Sequence, residues 1–566
     1  MLRRSRIVGP HSVTFNKDEF LRKINSIDSN SDDTVSFDFF DTLVFRNSIS
    51  HYSGWREVSL GFYFNRIFAE VMARVIGRFS GRPEVNSDGI YRFILPRWRT
   101  AVEIENETKN LRPNPFLRDI FNDLIIRGVN VVVISDTHFE NSDISAWLKQ
   151  FGFLNSTVYT SQEFFVTKST GLFEVIHDLR SLPYEHWIHV GDNPRSDISA
   201  AQMLGIDALF YPKLLTQFQD IQLLSPRGHK RLSKFGPQEF AVSTHLRELV
   251  CSSRPPNLNQ EDLLLWYLGF FIGAPVSRSI SEKIHFDHLA KQFDIILYSS
   301  RDGYLPFISH SFSYPLDPTV YFKTSRAMSM RELFPRYVDQ LIGNSEKVAI
   351  FDLGWRGSTL DSLKKEFPDV KWFGYFWILR NRKLKKLTVS QIAQQNQLSF
   401  WRSRDFLEIL FTDPSSGYGS LNSDLKPVQR SNQVNDTARL LMLEGSEFGV
   451  QTTTPCLPVS DATFLLSLVT RFPSKKLLSL FDSERHQIRG DESYYLVTNS
   501  WSRLFSKNRV MWPPSALLKR SYFGLDSIVF KLLVVLKELI QRTLNLSNRA
   551  RNLVLDKLRT FKNLFS

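Results

Sequence analysis

Asp38, Asp41 and Thr42 stand directly behind the short apolar run Val35-Ser36-Phe37. Carboxylates at the end of a buried strand can act as nucleophiles or metal ligands, because open α/β sheets bind ligands where their strands end. The same Asp-Thr pair can also cap the next helix. Three later stretches add to this beginning. Val129–Ile134 runs into Ser135-Asp136-Thr137, and the loop Thr167-Lys168-Ser169-Thr170-Gly171 offers a cation. Trp187–Val190 runs into Gly191-Asp192-Asn193-Pro194-Arg195-Ser196-Asp197. A carboxylate, a hydroxyl, an ammonium and an acidic pair thus follow one another at strand ends. Phosphoryl transfer needs a nucleophile, neutralised charge and in-line geometry, and this set supplies groups of those kinds.

The elements that must position these groups alternate between strand and helix, which predicts a parallel α/β sheet. In order and spacing, the four stretches resemble the haloacid dehalogenase (HAD) superfamily, most of whose members are phosphatases, over roughly residues 33–212. The resemblance implies a Rossmann-like domain in which Asp38 attacks phosphorus and forms an aspartyl-phosphate. It also implies Mg2+ held by Asp38, Asp192 and Asp197 with the main-chain carbonyl of Phe40. Ser135 and Lys168 would hold the phosphoryl oxygens. One position departs from the pattern: Phe40 stands where family phosphatases carry their general acid, and the next carboxylate is Asp41. Three readings follow: a phosphatase using Asp41 or another acid, a carbon–halogen hydrolase, or a weakened enzyme. The acidic pair Asp192/Asp197 favours the first. The insert at about 47–125, with helical periodicity over Trp55–Ile76 and Ala101–Leu111, corresponds to a helical cap.

A second α/β unit is expected from strands at Asp294–Tyr298, Thr319–Phe322, Lys347–Phe351 and Trp372–Ile378. Lys347–Phe351 leads into Asp352-Leu353-Gly354-Trp355-Arg356-Gly357-Ser358-Thr359, a small-residue loop that opens a helix and suits an anion. The spacing is similar to the diphosphate-sugar loop of type I phosphoribosyltransferases. On that pattern Asp352 holds ribose hydroxyls, and Arg356, Gly357, Ser358 and Thr359 surround a 5-phosphate. Arg301, Asp302 and Arg326 follow the two preceding strands and add phosphate-binding cations beside a carboxylate.

The chain has 566 residues, which predicts at least two domains. They divide as an N-terminal segment 1–32, the hydrolase domain 33–212, a linker 213–245, a phosphoribosyltransferase-like domain 246–500 and a basic amphipathic helical tail 501–566. Two cysteines exclude a disulfide scaffold and fit a reducing cytosol. The basic N-terminus lacks the apolar region of a signal peptide, and neither Leu263–Val276 nor Ile528–Ile540 reaches the ~20 residues of a membrane span. From Trp501 onward there are 13 Lys/Arg against 3 Asp/Glu, so this tail carries +10 of the +13 net charge. It suits an anionic surface, and a nucleic-acid partner is not expected.

The whole chain resembles bacterial proteins of capsule and O-antigen synthesis that pair the two units. In ribofuranose-adding members, the resemblance implies, one domain transfers 5-phosphoribosyl from phosphoribosyl diphosphate to a lipid-linked glycan acceptor, and the hydrolase removes the 5-phosphate. The alternative is a HAD phosphatase with a non-catalytic second domain that docks to a membrane or complex. Either reading places the protein in the cytoplasm, peripheral on the inner face of the plasma membrane.

Overall fold

Two parallel five-stranded sheets form the frame of the computed structural model. It describes residues 15–480 apart from short stretches, the longest being 47–54, 380–388, 392–405 and 430–436, together with three strands beyond residue 484. The first sheet comprises β1 (Thr34–Phe37), β2 (Asn130–Ser135), β3 (Thr157–Thr160), β4 (Trp187–Gly191) and β5 (Asp207–Phe210), in the spatial order β3-β2-β1-β4-β5. Phe37 lies level with Val133 of β2 and Val190 of β4. The order reverses between β1 and β4, so the crevice of the sheet opens beyond their C-terminal ends.

Alternation along the strands fills both faces. Phe37 and Val133 pack on one side with Leu117, Phe121 and Trp147, while Val132 and Ile134 meet Leu172, Phe173, Ile176 and Ala201 on the other. The insert is bounded by two short antiparallel strands, Val44–Arg46 and Leu111–Pro113. Its helices are Leu60–Phe79, Ser87–Tyr91 and Thr100–Asn110. It therefore ends before residue 125: the helix Pro115–Ile126 belongs to the sheet, capped by the Asn114 side chain and buried through Leu117, Phe121 and Leu124.

The stretch 213–245, expected to be a linker, is helical over Leu214–Asp220 and Pro226–Leu232, and from Pro237 it forms the helix Pro237–Ser252. Its polar composition misled, because Phe218, Leu232, Val242 and Leu246 are spaced to bury one face of each helix. Pro237–Ser252 packs against Pro115–Ile126, Leu214–Asp220, Pro226–Leu232 and Val459–Arg471, and one apolar core runs from Phe37 through Leu246 and Phe270 to Phe351 and Leu468. Gln260–Lys291 is long and apolar enough to cross a membrane by composition, yet 83% of its most apolar window is buried inside the protein.

The second sheet comprises β6 (Ile295–Ser299), β7 (Thr319–Phe322), β8 (Lys347–Trp355), β9 (Lys371–Leu379) and β10 (Val389–Gln391), in the order β10-β9-β8-β6-β7. This is the flavodoxin-like arrangement, with its crevice between β6 and β8. Most of the expected basic tail lies outside the described residues; within it Val510–Trp512 is extended and pairs with Glu492–Val497.

Candidate active site

The crevice between β1 and β4 gathers the groups that the first reading singled out. Asp38 follows β1, and its amide donates to the Val190 carbonyl at 2.8 Å, which ties it to the neighbouring strand. Asp192 follows β4. Asp197 returns on the π-turn Pro194–Ser199, which Asn193 caps by accepting from the amides of Arg195 and Ser196. One oxygen from each of Asp38, Asp192 and Asp197 lies within 4.8 Å of the others, and all three residues are buried. Lys168, delivered by the short turn Lys168–Thr170, is 3% exposed and bridges two of them. Its Nζ donates to Asp38 Oδ1 at 2.6 Å and contacts Asp197 Oδ1. The Lys168 amide donates to Asp136 Oδ1 at 2.8 Å, which fixes the turn.

Burial raises each of these carboxylates, and their neighbours add to or oppose that rise one by one. Asp38 is pushed well up by burial, with Lys168 opposing and Asp197 and Asp192 adding to the rise. Asp192 is pushed up to about 6 by burial, against Lys213. Asp197 is held below the usual carboxylate range: burial works against it, but Lys168 and His189 outweigh the cost. The Lys168 ammonium is stabilised in spite of its burial by Asp197 and Asp38.

Ser135, at the end of β2, is 1% exposed, and its Oγ has no hydrogen-bond partner among the described residues. A buried unpaired hydroxyl beside Lys168 suits a ligand with acceptor oxygens. The donor set around the three carboxylates is all oxygen, which fits a hard cation such as Mg2+ better than a softer metal.

Phe40 and Asp41, which follow Asp38, meet different partners. The Phe40 ring packs edge-on to Phe39 and Trp147, and the Arg46 guanidinium lies 4.0 Å from its centroid. Asp41 has a left-handed backbone (φ 63°). Its Oδ2 accepts from Lys213 Nζ at 2.5 Å, and the same ammonium lies 3.3 Å from Asp192 Oδ2. Burial would raise Asp41, but Lys213, Arg46 and Arg247 together hold it below its ordinary value.

Lys213 and His189 were not among the expected site residues. Lys213 sits just past β5 in a stretch that reads as a linker, and no local signal marks it. His189 is buried within β4; its Nδ1 lies 2.7 Å from Ser36 Oγ and its Nε2 3.5 Å from Asp197 Oδ1. The alternation of β4 could have shown that His189 shares a face with Trp187, whose Nε1 donates to the same Ser36 hydroxyl at 2.7 Å.

In the second unit, Arg301, Arg326 and Arg356 lie outside the described residues. Asp352 does not open a loop. β8 continues to Trp355, pairing Asp352 with Phe376 and Gly354 with Ile378, because the pleat of Phe351-Asp352-Leu353 extends along β9. Gly357 (φ 67°) then turns the chain into the helix Ser358–Glu366, which places Ser358 and Thr359 in its first turn. Asp302 and Gly303 lead from β6 into the helix Tyr304–Ser313. The loops after β6 and β7 are joined: Ser300 Oγ contacts the Thr324 carbonyl, and the Thr324 amide donates back to it at 3.0 Å. Ser299 Oγ and Thr324 Oγ1 are buried without partners among the described residues.

No family model and no curated protein matches this chain. Among solved structures, a HAD family enzyme from Bacteroides thetaiotaomicron is similar at 15% identity and a TM-score of 0.25, covering 32% of this chain and 94% of that one. A second structure of that enzyme, as wild-type protein in complex with magnesium and inorganic phosphate, matches at 14% identity with the same score and coverage. At that score and identity the likeness decides nothing about this chain's function.

Proposed function

We propose that the first unit is a HAD-type phosphatase that works through an aspartyl-phosphate on Asp38. The reading is carried by the convergence of Asp38, Asp192 and Asp197 with Lys168 at the switch point of the sheet. A carboxylate oxygen of Asp38 attacks phosphorus. The bond from phosphorus to the leaving oxygen breaks, its electron pair leaves on that oxygen, and a solvent proton neutralises it. Water then attacks the phosphoryl group, releases inorganic phosphate and restores the carboxylate. Lys168 and the Ser135 hydroxyl hold the phosphoryl oxygens while this happens. Asp38, Asp192 and Asp197, with the Phe40 carbonyl, would hold Mg2+, which when bound offsets charge on the phosphoryl group. Asp41, anchored to Lys213, is a positioning residue in this scheme rather than the acid.

Phosphate release from a panel of phosphomonoesters tests the proposal. Turnover should vanish on chelation, return with Mg2+ and be lost in Asp38→Asn. An Asp38→Asn variant with wild-type turnover would overturn it.

A finer reading assigns the second unit to 5-phosphoribosyl transfer from phosphoribosyl diphosphate to a lipid-linked glycan, with the first unit removing the 5-phosphate. One placement supports it: the loop after β6, the partnerless Ser299 and Thr324 hydroxyls and the end of β8 share one switch-point crevice, where an anionic sugar would bind. With both substrates supplied, Asp38→Asn should accumulate a 5-phosphoribosyl product, and adding Asp352→Asn to that variant should abolish it. Phosphatase turnover in the wild-type protein with no such product in Asp38→Asn would leave the second unit as a docking domain.

A further inference from the structure

The second unit carries a cluster that neither proposed reaction uses. His285 and His288 sit three residues apart on one face of the helical run Gln260–Lys291. His310 lies late in the helix Tyr304–Ser313, and Asp317 lies in the turn before β7. Asp317 Oδ2 is 2.7 Å from His285 Nδ1 and 2.8 Å from His310 Nε2. One ligand atom from each of His285, His310 and Asp317 lies within 4.8 Å of the other two. His310 is buried and Asp317 half-buried, with side chains 0% and 7% exposed, while His285 at 18% leaves a path from solvent.

The surrounding contacts sort ligands from supports. Tyr298 Oη lies 2.5 Å from His310 Nδ1. Accepting a proton there would leave the Nε2 lone pair pointing into the cluster, which is how metal-bound imidazoles are oriented. Tyr314 stacks on His285 at 3.8 Å and fixes its ring plane. His288 plays a different part: its Nδ1 accepts from the Phe293 amide at 3.1 Å, so its Nε2 carries the proton and faces Asp317 Oδ1 at 3.8 Å. It supports the carboxylate and does not bind metal.

We propose that His285 Nδ1, His310 Nε2 and Asp317 Oδ2 form a binding site for a first-row divalent cation, with Zn2+ as the natural probe. Two imidazoles and a carboxylate suit such an ion better than Mg2+ and leave a position for water. Zinc bonds of about 2.0–2.1 Å put tetrahedral ligands about 3.3 Å apart, so each contact to Asp317 opens by roughly half an ångström. Asp317 lies at the N-terminal edge of the second sheet, opposite its crevice. The ion would therefore join two helices and the entry to β7 and stand apart from phosphosugar chemistry.

The test uses full-length protein purified without a polyhistidine tag, stripped by chelator and dialysed against Zn2+ or Co2+. One equivalent of zinc should bind. Cobalt should give the visible spectrum of a site with nitrogen ligands. Both signals should be lost in His285→Gln and in Asp317→Asn, with folding checked by circular dichroism, and both should persist in Asp38→Asn. Wild-type protein that binds no stoichiometric zinc, or binding unchanged in both variants, would overturn the proposal. Even if one of these variants fails to fold, the cobalt spectrum of Asp38→Asn decides: without nitrogen-ligand features there, the proposal falls.

Discussion

At the scale of single residues, the site turns on how Asp38 and Asp41 differ although only two residues separate them. Asp38 is buried and raised, facing Lys168 and two further carboxylates; Asp41 is held ionised by Lys213. A general acid typically contributes ~100-fold or more, so Asp41→Asn separates the two roles. As a positioning residue it should cost less than about tenfold in kcat, whereas Asp38→Asn should cost at least about 1000-fold. Steady-state rates on one phosphomonoester are enough; a ~100-fold loss in Asp41→Asn together with a lost alkaline limb of the pH profile would make it the acid. Asp192 gives a pH dependence. Its folded-state pKa, about 6, exceeds its ordinary value near 4, so in metal-free protein its contribution to stability is present below pH ~4 and is lost as pH rises toward 6. A cation must displace that proton. Mg2+ affinity, measured by calorimetry, should therefore weaken roughly tenfold per unit as pH falls below about 6.

At the scale of elements, β4 and the π-turn after it act as one device. Gly191 ends the strand where Asp197 folds back, and a Cβ there would lie 2.4 Å from Asp197 Cγ. The Asn193 amide donates to Asp197 Oδ2 at 2.8 Å, so the turn holds the same carboxylate from the other side. Gly191→Ala should displace Asp197, cost about 1–3 kcal/mol of stability and weaken Mg2+ binding. Denaturant midpoints and metal titration on the same preparation read both effects. A variant that keeps wild-type metal affinity would show that the close approach is not what places Asp197.

For the whole molecule, the decisive contact is a crossing of helices between the two sheets. Gln260–Lys291 and Thr437–Val450 meet so closely that a Cβ on Gly269 would lie 1.8 Å from the Met442 carbonyl, and one on Gly445 would lie 2.0 Å from that of Trp266. These overlaps are with backbone, which cannot rotate aside. Gly445→Ala should therefore destabilise the protein by about 3 kcal/mol or more. Because one apolar core joins both units, thermal unfolding of that variant should lower the transition of both together. Two separate transitions, only one of them shifted, would contradict a shared core.

Much of the first unit was legible in the sequence. Strands buried on both faces read as continuous apolar runs, and each was expected within a residue or two of its place: Val129–Ile134 against Asn130–Ser135, and Trp187–Val190 against Trp187–Gly191. The residue types Asp38, Ser135, Lys168, Asp192 and Asp197 at strand ends were enough to nominate a site. The fold could not be followed where contacts are distant in sequence. Lys213 matters only because β5 ends beside Asp41, and His285, His310 and Asp317 meet only because a helix packs beneath β7. A polar stretch at 213–245 looked like a linker because its buried faces have partners far along the chain. Local pattern determined the strands and the chemistry available at their ends; tertiary packing decided which charges face one another, and through that electrostatics which carboxylate is held low and which is pushed up.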